Sequence, residues 1–161
     1  MNLAEFLLAR IAEDEAAARA CVYPPHDGYK PHPELSRWFY REGGEVEYVQ
    51  TPEMLAHKYP ERLYVTCDGE GLTPAVGEVH GEHIARHDPA RVLAECEAKR
   101  QVVHEWQTFG KLADPSVQPS TDEEFRVRAA AVGIRQGLAR ALSHLAMPYA
   151  DHLDYRQEWK P

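Results

Sequence analysis

Cysteine is scarce in this chain. Only Cys21, Cys67 and Cys96 occur among 161 residues, and no two share a CxxC or other metal-knuckle spacing. An odd, scattered set does not make a disulfide framework; it fits free thiols in a reducing cytoplasm, where we place the protein. No apolar run reaches the ~18 residues of a membrane span. The opening MNLAEFLLARIAEDE carries early acids and no basic stretch, so no signal peptide is expected. Basic residues are the minority, 18 against 26 acids for a net charge of −8. That balance argues against direct nucleic-acid binding, which depends on phosphate neutralisation by Lys and Arg, and is compatible with a basic partner. Serine is limited to Ser36, Ser116, Ser120 and Ser143, none of them in a GxSxG elbow. The glycine turns EGGE and DGEG are acidic and lack the lysine and helix start of a phosphate cradle.

What is present is an ordinary globular composition, 43% apolar and 27% charged, at a length that suits one domain over residues 1–161. The spacing of Leu3, Leu7, Ile11, Ala18 and Cys21, with Phe6 beside them, predicts a first helix over 3–21. Asn2 and Glu5 stand at capping-box positions. The stretch YPPHDGYKPHPEL is loop. Arg37–Arg41 and Glu45–Gln50 read as a hairpin, Thr51–His57 as a short helix, Arg62–Cys67 as a third strand and Ala75–His80 as a weak fourth. A helical turn is expected over Glu82–His87. Asp88 before Pro89 is a strong helix start, with Val92, Cys96, Val103, Trp106 and Phe109 as the stripe and Gly110 as the stop. Thr121 and Glu124 form a second capping box for a helix to Ala146, with Phe125, Val132, Leu138, Leu142 and Leu145 facing inward. Gly133 and Gly137 leave room for another helix to approach. The aromatic tail after Pro148 should dock on the body. The fold class expected is α+β: three long helices packed with a small antiparallel sheet of three or four strands.

Three segments, NLAEFLLARIAEDEAAARA, GEHIARHDPARVLAECEAKR and AMPYADHLDYRQEW, taken in this order, resemble an uncharacterised family of small actinobacterial and actinophage proteins. The resemblance spans the chain and implies an accessory or mobile-element protein. It carries no activity and no site residue. Leu153 stands where the family pattern has proline, and the 111–146 region is longer than usual.

Several constellations bear on chemistry. His83 and His87, four apart on one turn, have the spacing of two ligands to a divalent metal such as zinc, with Asp88 or His80, or Asp151, His152 and Asp154, as further donors. No Glu stands at the HExxH position, and nine histidines make chance pairs common. Asp151, His152, Asp154 and Tyr155 have the residue types of acid–base work, or of polar groups that satisfy one another. Cys21 and Cys96 lie on helical apolar stripes, where thiols behave as small hydrophobes. Trp38, Tyr40 and Tyr48, with Arg37 and Arg41 beside them, form either core or an aromatic binding patch. The reading that follows is a non-enzymatic accessory protein without a cofactor, which binds another macromolecule, most readily a protein. The alternatives are a metal-dependent hydrolase using His83 and His87, and an acidic inhibitor that imitates DNA.

Overall fold

The computed structural model describes residues 1–21, 33–41, 44–50, 52, 56, 65 and 76–161. Helix α1 runs Leu3–Ala20, strand β1 Trp38–Arg41, strand β2 Glu45–Tyr48, helix α2 Glu78–Arg86, helix α3 Pro89–Leu112 and helix α4 Asp122–Ala146. The chain is α+β and mostly helical. Among the described residues it has four helices and a two-stranded antiparallel sheet. The chain forms two compact units, Met1–Glu13 with Glu95–Pro161, and Asp14–Ala94.

Local chemistry sets the helix starts. The Asn2 side chain accepts the Glu5 N–H at 3.0 Å, and Glu5 accepts the Asn2 N–H at 2.8 Å. Thr121 and Glu124 exchange the same pair of bonds at 3.1 and 3.2 Å. Each reciprocal pair satisfies two donors that the first helical turn leaves orphaned. Asp88 Oδ1 accepts the Arg91 N–H at 2.8 Å, so it caps α3 as its place before Pro89 predicts. Asp88→Ala is expected to lower stability by about 1 kcal/mol, the usual loss for a cap. Chemical denaturation checks this, and an unchanged midpoint would remove that role from Asp88.

In the unit built from Asp14–Ala94, β1 and β2 pair with Trp38 opposite Tyr48 and Tyr40 opposite Val46. Gly44, at φ 104°, closes their turn, and its N–H donates to the Arg41 carbonyl at 3.2 Å. This left-handed position suits glycine. Helix α2 packs on both strands. Leu35, Val46 and Pro89 are fully buried. Buried Glu47 accepts two bonds from the Arg41 guanidinium.

In the unit built from Met1–Glu13 and Glu95–Pro161, Phe6, Leu7, Ile11, Val103, Leu142 and Ala146 are buried. The tail docks there. Phe6 is ringed by Tyr149, His152, Tyr155 and Trp159, with centroids 6.3, 5.8, 6.0 and 5.0 Å away.

Several expectations meet a different structure, and two fall largely outside the described residues. The weak strand over Ala75–His80 is not formed where it is described, because Glu78 begins α2. The alternation of AVGEVH misleads there: Val79 is exposed, and the glycine that matters is Gly81, set against Tyr40. The third strand, Arg62–Cys67, lies outside the described residues except for Val65, whose N–H donates to the Val46 carbonyl at 2.8 Å. Of the short helix over Thr51–His57, only Pro52 and Ala56 are described, and both are helical. The expected three long helices are thus joined by a fourth, shorter one, and the sheet has two strands among the described residues.

Gly110 does not end α3, which continues to Leu112 before Pro115 forbids further helix. Gly110 instead makes room for Arg135, whose Nε would lie 3.3 Å from an added Cβ. Cys21 is exposed rather than buried, since it stands in the turn after α1 ends. Phe125 and Val132 are also exposed, at 64% and 39%. At about 100° per residue they lie about 120° and 100° around α4 from buried Ala131, so the stripe drifts off the core as it runs toward the N-terminus.

Candidate functional site

Trp38, Tyr40 and Tyr48 fall on one face of the β1–β2 hairpin, because side chains alternate along a strand and cross-strand partners share a face. Trp38 and Tyr48 meet edge to face, centroids 6.3 Å apart and planes at 88°. Tyr48 is buried and Trp38 half-buried. The Trp38 Nε1 is shut from solvent and has no hydrogen-bond partner among the described residues. The Tyr40 ring lies over Gly81 of α2. Beside the trio, Trp38 and Val49 share a hollow of about 420 Å³ with Arg37, Arg86 and Arg91.

His83 on α2 and His87, which caps its C-terminal end, do come together. Their rings are 4.3 Å apart, tilted by 39°, and His87 Nδ1 lies 2.9 Å from the His83 carbonyl, which makes Nδ1 the donor. Stacked rings with one nitrogen turned onto the helix are poorly placed to share a metal at about 2.0–2.1 Å. Asp88 serves as the α3 cap. Among the described residues no three His, Cys, Asp or Glu side chains gather where they could hold a metal ion. Asp151, His152 and Asp154 belong to the other compact unit.

The tail residues are tied to α1. Arg10 is 7% exposed. Its Nη1 lies 2.7 Å from His152 Nδ1, its Nη2 donates to Glu13 at 2.5 Å, and Asp154 lies 3.8 Å from it. The Asp154 N–H also points to His152 Nδ1, at 3.1 Å. Tyr155 packs on Phe6 and Trp159. His152, Asp154 and Tyr155 thus hold the tail against α1, and Leu153 stands among them 99% exposed.

Sequence reasoning missed a cleft beside α4. A cleft of about 480 Å³ opens between the end of α3 and the start of α4. Leu112, Val117 and Val127 line it and are 51%, 64% and 49% exposed. Pro119, the cations Lys111 and Arg128 and the acids Glu123 and Glu124 also line it. Arg128 Nη1 donates to the Val117 carbonyl at 2.8 Å and pins the loop. The signal was present: a lone valine between Pro115 and Pro119, and Val127 off the helical stripe.

The same loop carries a resolved electrostatic feature. Asp114 accepts bonds from the Ser116 hydroxyl at 2.7 Å and its N–H at 2.8 Å. The hydroxyl first, then the N–H, with a smaller pull from Arg128, hold the Asp114 carboxyl below its ordinary value. A depressed folded-state pKa contributes stability above the unfolded value, and that stability fades as pH falls through the folded one. The Ser116 amide resonance is therefore expected to shift with acid at a midpoint below pH 3.8. A midpoint at or above that value would rule out the turn as its cause.

The family model for the family of unknown function DUF6221 matches residues 1–161. The chain belongs to that family. No curated protein and no solved structure matches it.

Proposed function

We propose that this family member is a non-enzymatic accessory protein that acts by binding another protein in the cytoplasm, through the cleft between α3 and α4. The observation that carries the reading is the exposure of Leu112, Val117 and Val127 around one cleft of about 480 Å³. Three large aliphatic side chains facing water in one concavity gain by desolvation against an apolar segment. Lys111 and Arg128 on one side and Glu123 and Glu124 on the other give its rim both signs of charge, so the apolar walls carry the affinity. The resemblance to actinobacterial and actinophage sequences extends the proposal to an accessory role on a mobile element. No helix among the described residues is long and apolar enough to cross a membrane.

The test uses a photo-crosslinking residue at Val117 in cells that make the protein. One discrete cross-linked species is expected. Val127→Asp should abolish it while changing stability by no more than about 0.5 kcal/mol, as for an exposed site. No cross-link, or one indifferent to Val127→Asp, overturns the proposal.

A further inference from the structure

The solvent face of α4 carries residues that complement one another across the helix midpoint. Asp122, Phe125, Ala129, Val132, Gly133, Gln136, Gly137 and Arg140 are all exposed. At about 100° per residue they fall within one face about 140° wide, turned away from buried Ala131 and Leu142. An added Cβ at Gly133 or Gly137 would meet nothing within 4 Å. Among the described residues nothing therefore covers this strip of backbone, beside an exposed phenylalanine and valine.

We propose that this face docks a second copy of the chain, with the two α4 helices antiparallel about a two-fold axis level with Ala131. In that register Phe125 of one copy covers Gly137 of the other, and Ala129 meets Gly133. Asp122 at one end meets Arg140 at the other, twice by symmetry. An isologous contact needs such self-complementarity. The charges select the arrangement. A parallel pair would set Asp122 against Asp122 and Arg140 against Arg140. An antiparallel pair shifted one turn toward the C-terminus would oppose Arg126 to Arg140. A shift the other way loses the Asp122–Arg140 pairs. Like charges brought together reject the wrong registers. The glycines let the backbones close to the short end of helix–helix distances. One helix from each copy is a small interface, of the class under about 1,200 Å², so monomer and dimer exchange at micromolar concentration.

Sedimentation of the full chain over a concentration series tests this. The average mass is expected to rise from monomer toward dimer. Gly137→Leu should fold normally, since no described residue lies within 4 Å of an added Cβ there, yet weaken the dimer by at least ~100-fold by filling the seat of Phe125. Asp122→Arg and Arg140→Asp should each weaken it about 10-fold, and the two together should restore it. Val127→Asp, in the cleft, should leave it unchanged, so failure here is separate from failure of the cleft reading. A monomer at every concentration overturns the proposal, as does a dimer that tolerates Gly137→Leu or is not restored by the charge swap.

Discussion

Replacing Phe6 with alanine is expected to cost about 4 kcal/mol, within the range for a buried phenylalanine, and to loosen the tail first. Phe6 is fully buried, and its ring is the common partner of Tyr149, His152, Tyr155 and Trp159. Three of these contacts are edge to face, at 80°, 68° and 70°, the geometry that adds to simple area burial. The Arg10 guanidinium also sits 5.3 Å from the ring centroid. Removing the ring leaves a cavity that Phe6's neighbours on α1 cannot fill, because the helix backbone fixes their positions. Arg10 would then hold the tail through His152 with the aromatic support gone. Denaturant titration should show the loss of stability, and hydrogen exchange should show the 149–159 amides losing protection before those of α3. Leu153→Ala, at a fully exposed position, should do neither. A cost under about 1 kcal/mol for Phe6→Ala would show that the tail is held elsewhere.

The elements most legible in the sequence were those with local signals at both pattern and cap. Asn2 with Glu5, Asp88 with Pro89, and Thr121 with Glu124 each marked a helix start that the structure repeats to the residue. Such signals are contained within four residues, so no tertiary context is needed to read them. The docking of the tail was legible for a different reason: Tyr149, Tyr155 and Trp159 are costly to leave in water. What the sequence concealed was angular. Phe125 and Val132 keep helical spacing with the core stripe of α4 yet lie a quarter-turn or more away from it. Spacing at three and four residues tolerates that drift, while burial does not. Arg10 was concealed in the opposite sense. A cation between Leu7 and Ile11 reads as solvent-facing, yet it is buried because His152, Glu13 and Asp154 come to meet it. The cleft left only scattered signals, Val117 and Val127, because its walls come from the end of one helix, a proline-framed loop and the start of another.

The second large effect expected is at Gly81. An added Cβ there would lie 2.1 and 2.4 Å from Cδ2 and Cε2 of Tyr40 and 3.0 Å from its Cγ. These are not distances that side chains adopt, and the atoms in the way belong to a rigid ring seated on a strand. Tyr40 is held opposite Val46 in the hairpin register, and α2 packs on both strands, so either the helix or the strand must shift. Gly81→Ala is therefore expected to destabilise by about 3 kcal/mol, the upper end for overpacking, although alanine is the better helix former by about 1 kcal/mol. The two contributions can be separated. Tyr40→Ala removes the obstructing ring, and in that background the helix propensity acts alone. Gly81→Ala should then stabilise by several tenths of a kcal/mol or more, so that the same substitution changes sign with its neighbour. A double-mutant cycle by chemical denaturation measures this coupling. It also bears on Tyr40 itself. If the sign reverses, the ring's place is the contact between helix and hairpin. If Gly81→Ala costs the same in both backgrounds, the ring does not set the helix–sheet distance, and Tyr40 is free to face outward.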